Sequence, residues 1–152
     1  MKIEDSFVVA APRDRVWASI TDPATVAPCV PGCQGVEVVS PTLYRAQVRV
    51  QLGPIKAHFT VEVTVVAETP PEELRSRTRG EEKSLASSLS AENVLRLRSL
   101  GDNETEVTYA SEVAVVGRLG KFGLGVMQKK AAALGRDFAA AFKERVEAVR
   151  VT

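Results

Sequence analysis

Between Gly117 and Val149 the chain carries one continuous pattern that the rest must accommodate. It opens on four closely spaced glycines, Gly117, Gly120, Gly123 and Gly125, then runs on to Val149 without proline and with one more glycine, Gly135. Leu124, Met127, Ala131, Leu134, Phe138, Phe142, Val146 and Val149 recur at steps of three and four, the period of a helix with one buried stripe. Lys121, Gln128, Lys129, Arg136, Lys143 and Glu147 fall on the other side. Upstream, most segments alternate with period two. A long helix with one apolar face and a curved sheet with one apolar face must cover each other. Leu119, Phe122 and Val126 lie off the stripe, and two readings of them are open. Either the helix starts late, near Gly123 or Gly125, and they pack as a loop, or they form an apolar lip beside Lys121, Lys129 and Lys130 that meets a ligand, a membrane or a partner.

The upstream order supports that packing. Ile3 to Ala10 predicts a strand with Phe7 and Val9 on one face. Pro12 suits the first position of a short helix carrying Val16, Trp17 and Ile20, and Asp22 suits the cap of a second helix beginning at Pro23. Val30-Pro31-Gly32 ends it, and Gln34 to Val39 gives the next strand. From Tyr44 the alternation is clean, with Tyr44, Ala46, Val48, Val50 and Leu52 on one face and Arg45, Gln47, Arg49 and Gln51 on the other. After Gly53-Pro54, residues Ile55, Ala57, Phe59, Val61, Val63, Val65 and Ala67 continue it, opposite Lys56, His58, Thr60, Glu62 and Thr64. Leu74 to Gly80 places Arg75, Arg77 and Arg79 outward. Leu85, Ser87, Leu89 and Ala91 lead into Leu95 and Leu97; a turn at Gly101-Asp102-Asn103 precedes the last strand, with Val107, Tyr109, Ser111, Val113 and Val115 on one face. The expected architecture is α+β: a curved, antiparallel, seven-stranded sheet around a long C-terminal helix, with two short helices after the first strand, forming one domain over residues 1–152.

Composition narrows the function. With 20 Lys and Arg against 19 Asp and Glu, the net charge of +1 lacks the basic field of a nucleic-acid binder, so no nucleic acid is expected. Met1-Lys2-Ile3-Glu4-Asp5 is too charged for a signal peptide, and no apolar run is long enough for a membrane span. The chain therefore reads as soluble and cytoplasmic. Cys29 and Cys33, with one distant His58, cannot complete a four-ligand zinc site; two reduced, partly buried thiols are expected, a disulfide or redox pair being the alternative. Small inward residues (Ala46, Ala57, Ser87, Ala91, Ser111) and an aromatic content of only 5% allow a gap under the helix, or a helix seated closer to the sheet.

Chemistry-bearing patterns are sparse. His58 shares the polar face with Lys56, Thr60 and Glu62; Asp102, Glu104 and Glu106 crowd a hairpin; no inward carboxylate pair offers general acid–base chemistry. The glycine cluster matches neither a P-loop nor a dinucleotide fingerprint and reads as hinge or close-approach positions. No catalytic residue, metal or cofactor is expected.

The element order resembles that of the START-like, or helix-grip, superfamily, as does Phe7-Val8-Val9-Ala10-Ala11-Pro12 followed by Val16-Trp17 and Asp22-Pro23. Cys29-Val30-Pro31-Gly32-Cys33, Leu52-Gly53-Pro54-Ile55 and Val116-Gly117-Arg118-Leu119-Gly120-Lys121-Phe122-Gly123 ahead of Phe138 resemble the carbon monoxide dehydrogenase G-subunit family. The resemblance implies a non-catalytic accessory protein of a molybdenum hydroxylase of the CO dehydrogenase type. It implies an internal pocket for an apolar small molecule, a respiratory quinone among the candidates, and a link to recruiting the enzyme complex to the membrane. Many members carry a hydrophobic C-terminal tail; this chain ends at Arg150-Val151-Thr152, so a transient membrane contact at the inner face is expected instead of an anchor. The pocket is expected between the helix and the concave sheet face, its mouth near Val30-Pro31 and the Gly117–Gly125 segment. Val30, Val50, Phe59, Val61, Leu89 and Val113 would line it, with Ser87, Tyr109 or Ser111 as polar handles. Phe122, Val126, Met127 and Leu134 complete the expected lining. The alternative is a cyclase or hydrolase of the same fold using Tyr109 or Asp137.

Overall fold

The computed structural model describes residues 1–148. Strand β1 (Lys2–Val9) is followed by helices α1 (Arg13–Ile20) and α2 (Pro23–Val26) and a 3-10 turn at Ala27–Cys29. Six strands follow: β2 (Cys33–Ser40), β3 (Leu43–Leu52), β4 (Ile55–Thr69), β5 (Glu73–Glu82), β6 (Ser87–Gly101) and β7 (Glu104–Val116). A 3-10 turn at Arg118–Phe122 leads into α3 (Leu124–Ala148). The strands form one antiparallel sheet in the order β1-β7-β6-β5-β4-β3-β2, so each is hydrogen-bonded to its chain neighbour except that β1 closes onto β7. This is the expected α+β helix-grip architecture. Val149 and Arg150–Thr152 lie outside the described residues.

Local signals explain most boundaries. Asp22 caps α2: one carboxylate oxygen accepts from the Ala24 N–H at 3.1 Å, the other from the Thr25 hydroxyl at 2.8 Å. Pro12 sits one place earlier than expected, as the extended N-cap of α1, so α1 begins at Arg13. The alternation of β4 holds only to Val65. A bulge there pairs Val65 with Ser76 but Ala67 with Arg75, turning Ala67 outward and Glu68 toward Leu74. Gly32 (φ +78°) places its carbonyl to accept from the Arg49 N–H at 2.9 Å; a Cβ there would lie 1.9 Å from the Arg49 carbonyl oxygen. Only glycine lets the Pro-Gly-Cys corner press onto β3.

Helix α3 divides in two. Its C-terminal half closes the main core, where Phe142 and Val146 meet Val9, Val16, Ile20, Cys29, Leu97 and Val107. Phe142 stacks on Phe138 at 5.7 Å and meets Phe7 edge-on at 6.3 Å. The corner after β1 is tied down there too: the buried Thr105 hydroxyl donates to the Ala11 carbonyl at 2.8 Å, and Glu147 accepts from the Ala10 N–H at 2.8 Å. The N-terminal end of α3 stands free. Leu124, on the predicted stripe, is 56% exposed. A second core at the other end of the sheet joins Leu52, Ala57, Phe59 and Leu119, with Phe122 and Leu89 packed against it.

Candidate functional site

Between the two cores lies a cavity. One lobe, about 400 Å³, is walled by Phe7, Val107 and Tyr109 from the sheet and by Leu134, Gly135 and Phe138 from α3. A second lobe, about 260 Å³, lies between α2 and strands β2–β4, with Val36, Tyr44, Ala46, Val61 and Val63 in its wall. The lobes share Ile20, Val26, Val30, Val48, Leu74 and Ser76, so they adjoin beneath the α2–β2 connection. Aliphatic and aromatic side chains dominate both.

The sheet physics explains the gap. Phe138 and Leu134 face the sheet as expected, but the concave positions opposite them are short polar groups. Ser76, Asn93 and Ser111 are register partners on β5, β6 and β7. The Ser111 hydroxyl donates to the Asn93 carbonyl oxygen at 2.7 Å; the Asn93 amide donates to Thr78 at 2.9 Å and Ser76 at 3.3 Å. This row satisfies itself within the sheet and fills little volume. Asn93 is a cavity residue that the motifs do not reveal; the signal for it is its place between Ala91 and Leu95, in the inward phase of the strand.

The expected lining residues separate into four groups. Val30, Val61, Tyr109 and Leu134 border the cavity. Val113 and Met127 instead border a more polar hollow of about 700 Å³ that includes Arg79, Glu92 and Leu124. Val50, Phe59, Leu89 and Phe122 pack in or against the second core, where Leu119 plugs the end of the sheet. Val126 is 52% exposed. The late-start reading of the off-stripe residues holds for Leu119 and Phe122, which pack ahead of α3 and its start at Leu124, while Val126 lies exposed within the helix.

Gly117–Gly125 does not border the cavity, so the expected mouth at that segment is corrected. Nor is its start a loose hinge. Gly117 (φ +100°) passes so close to β6 that a Cβ would lie 2.1 Å from the Ala86 carbonyl oxygen. Two residues on, the buried Leu119 N–H donates to the Ser87 hydroxyl at 2.9 Å, which donates to the Leu85 carbonyl at 2.9 Å. Ser87, expected as a polar handle, is committed to this anchor.

Titratable groups are arranged as follows. His58 is exposed on the convex face, and Asp137 is exposed on α3, away from the cavity wall. Burial pushes the Tyr109 hydroxyl above its ordinary value, with Asp5 adding to the rise and Arg136 opposing it. Burial likewise raises the Cys29 thiol, against a smaller opposing effect of Arg145. Both cysteines are free; Cys29 is in the main core and Cys33 borders the second lobe. Among the described residues no group of three or more His, Cys, Asp and Glu side chains is placed to hold a metal, and no helix is long and apolar enough to cross a membrane.

A family model described as CoxG, the G-subunit of carbon monoxide dehydrogenase, matches residues 6–147. Among solved structures, a conserved protein from Geobacillus kaustophilus is 22% identical with a TM-score of 0.90, over 97% of this chain and 96% of that one. A START superfamily protein from Mycobacterium smegmatis is 16% identical with a TM-score of 0.80, over 98% and 99%. The Zhui aromatase/cyclase from Streptomyces sp. R1128 is 17% identical with a TM-score of 0.70, over 99% and 96%. At these identities the structures share the fold alone. No curated protein matches the sequence.

Proposed function

The chain belongs to the carbon monoxide dehydrogenase G-subunit (CoxG) family, and on that premise we propose that it is a non-catalytic accessory protein that carries an apolar small molecule in the cavity under α3. The observation that carries this reading is the pair of adjoining lobes with a largely apolar wall and few polar groups, the composition of a small-molecule site. A lipophilic quinone fits that chemistry: flat, apolar, with oxygen at the ring edge. The family name further suggests a molybdenum hydroxylase of the CO dehydrogenase type as the partner complex. The membrane link implied for that complex gives the carrier its place, in transient contact with the cytoplasmic face, where such a ligand would be exchanged.

The test is titration with a lipophilic naphthoquinone presented in liposomes. Wild type is expected to take it up. Val48→Trp, which fills the wall shared by both lobes, is expected to lose uptake while staying folded; Val126→Asp, on the exposed end, is expected to retain it. No uptake by wild type sinks the carrier reading and favours a purely protein-binding accessory role.

A second reading, a cyclase or hydrolase of the same fold, has one observation on its side: the likeness to an aromatase/cyclase, with Tyr109 at the cavity wall. It requires turnover of a cavity-bound substrate that Tyr109→Phe abolishes. Unchanged ligand recovered after long incubation counts against it.

A further inference from the structure

Resting on the carrier reading, we infer that Tyr109 is the residue that recognises an oxygen atom on the apolar ligand, and that position 135 is glycine so that the tyrosine hydroxyl has room to do so. The ligand class is then a flat apolar molecule carrying a carbonyl or hydroxyl oxygen at its edge.

The polar groups of the cavity differ in what they have left to offer. Asn93 uses its amide on Thr78 and Ser76 and its carbonyl on Ser111. The Tyr44 hydroxyl, in the second lobe, donates to the Pro41 carbonyl at 3.2 Å. Tyr109 has no such engagement: its hydroxyl is perturbed by burial and by the charges of Asp5 and Arg136, with no hydrogen bond among the described residues. As an ordinary tyrosine hydroxyl it is protonated at neutral pH, and burial only raises its value, so it can both donate and accept. The lobe it borders is lined by Phe7, Val107, Leu134 and Phe138, with Ser111 and Asn93 bonded to each other, and the exposed Asp5 is its register partner on β1. Tyr109 is half-buried, so its hydroxyl is left to water or to whatever enters the lobe.

The helix has made room for it. Gly135 sits inside α3, where glycine is less favourable than alanine. A Cβ at 135 would lie 2.4 Å from the Tyr109 hydroxyl oxygen and 3.6 Å from Cζ. The clash falls on the hydroxyl and spares the ring, so the glycine serves the polar atom. A Cβ there makes the tyrosine hydroxyl, the far end of its side chain, move from its place in the lobe.

The experiment compares equilibrium binding of 2-acetylnaphthalene and 2-ethylnaphthalene, similar in shape and differing in the carbonyl oxygen. Tyr109→Phe is expected to weaken ketone binding about three- to tenfold, the value of one hydrogen bond, and to leave the hydrocarbon unchanged. Gly135→Ala, with wild-type melting behaviour, is expected to show the same selective loss. If wild type binds both probes and Tyr109→Phe weakens both equally or neither, the inference is overturned and the carrier reading stands. If Gly135→Ala keeps full ketone affinity, the role of the glycine is overturned. If wild type binds neither probe, the carrier reading fails and takes the inference with it.

Discussion

Phe142 and Phe138 sit one helical turn apart on the same stripe, yet they do different work. Phe142 is wholly buried and clamped between Phe7 and Phe138; Phe138 is half-buried and borders the cavity. Phe142→Ala should cost about 3–5 kcal/mol, because a close-packed site cannot collapse around the void. Phe138→Ala should cost clearly less, since the new void merges with space already present. Urea unfolding of the two variants checks this, and equal losses would contradict it. Glu82 is a second case where surroundings decide. It is almost fully buried, yet accepts from the Ser84 hydroxyl at 2.6 Å, the Ser84 N–H at 2.9 Å and the His58 N–H. The Ser84 hydroxyl is the main cause that lowers its pKa, and burial opposes it. A carboxylate depressed in the folded state adds stability above its ordinary value and loses it as pH falls through the folded value. Glu82→Gln should therefore be less stable than wild type near neutrality, with the gap narrowing below about pH 4.5. A gap of the same size in urea midpoints at about pH 3 and pH 7 would refute the linkage.

At the level of elements, the segment between β7 and α3 acts as a clasp. Gly117, the Ser87 hydroxyl and Leu119 fix the chain to the start of β6 before the helix begins. Gly117→Ala meets the Ala86 carbonyl and a backbone conformation that alanine rarely adopts. Ser87→Ala strands a buried N–H, at a cost of about 1–3 kcal/mol. Both changes should lower the melting temperature while leaving ligand affinity per folded molecule unchanged, because neither position borders the cavity. A selective loss of affinity at full stability would restore this segment as the gate. Of the glycines here Gly117 alone secures a close approach; a Cβ at Gly120, Gly123 or Gly125 would meet open space.

Across the whole molecule, the main core seats the C-terminal half of α3 on one end of the sheet, the second core closes the other end with Leu119 and Phe122, and the middle is left unfilled. A molecule that enters the gap binds the folded state alone and must stabilise it. At a free concentration of about 100 times its Kd the gain is about 2.7 kcal/mol, which for a domain of this size corresponds to roughly 5–10 °C in Tm. The naphthoquinone should give such a shift with wild type and none with Val48→Trp. A shift of the same size in both proteins would place the binding elsewhere.

How much of this was legible in the sequence divides along physical lines. Strand alternation and helical periodicity are local, so seven strands, the order of elements and the inward faces of β3 to β7 followed from residue types alone. The Asp22 cap and the Pro-Gly corner did too, and the motifs around Cys29–Cys33 and Gly117–Gly123 carried the family. The lining of the cavity did not follow. Val61 and Phe59 have the same phase on β4, yet Phe59 is buried in the second core, while Val61 packs against that core and also borders the cavity. The difference is set by Leu119, more than fifty positions away in sequence, which plugs one end of the sheet and not the other. Ala67 turned outward through a bulge that its own alternation does not announce. Periodicity tells a residue which face it shares; only the tertiary structure decides what stands opposite that face, because filling a space depends on the summed volume of segments the chain brings together from far apart.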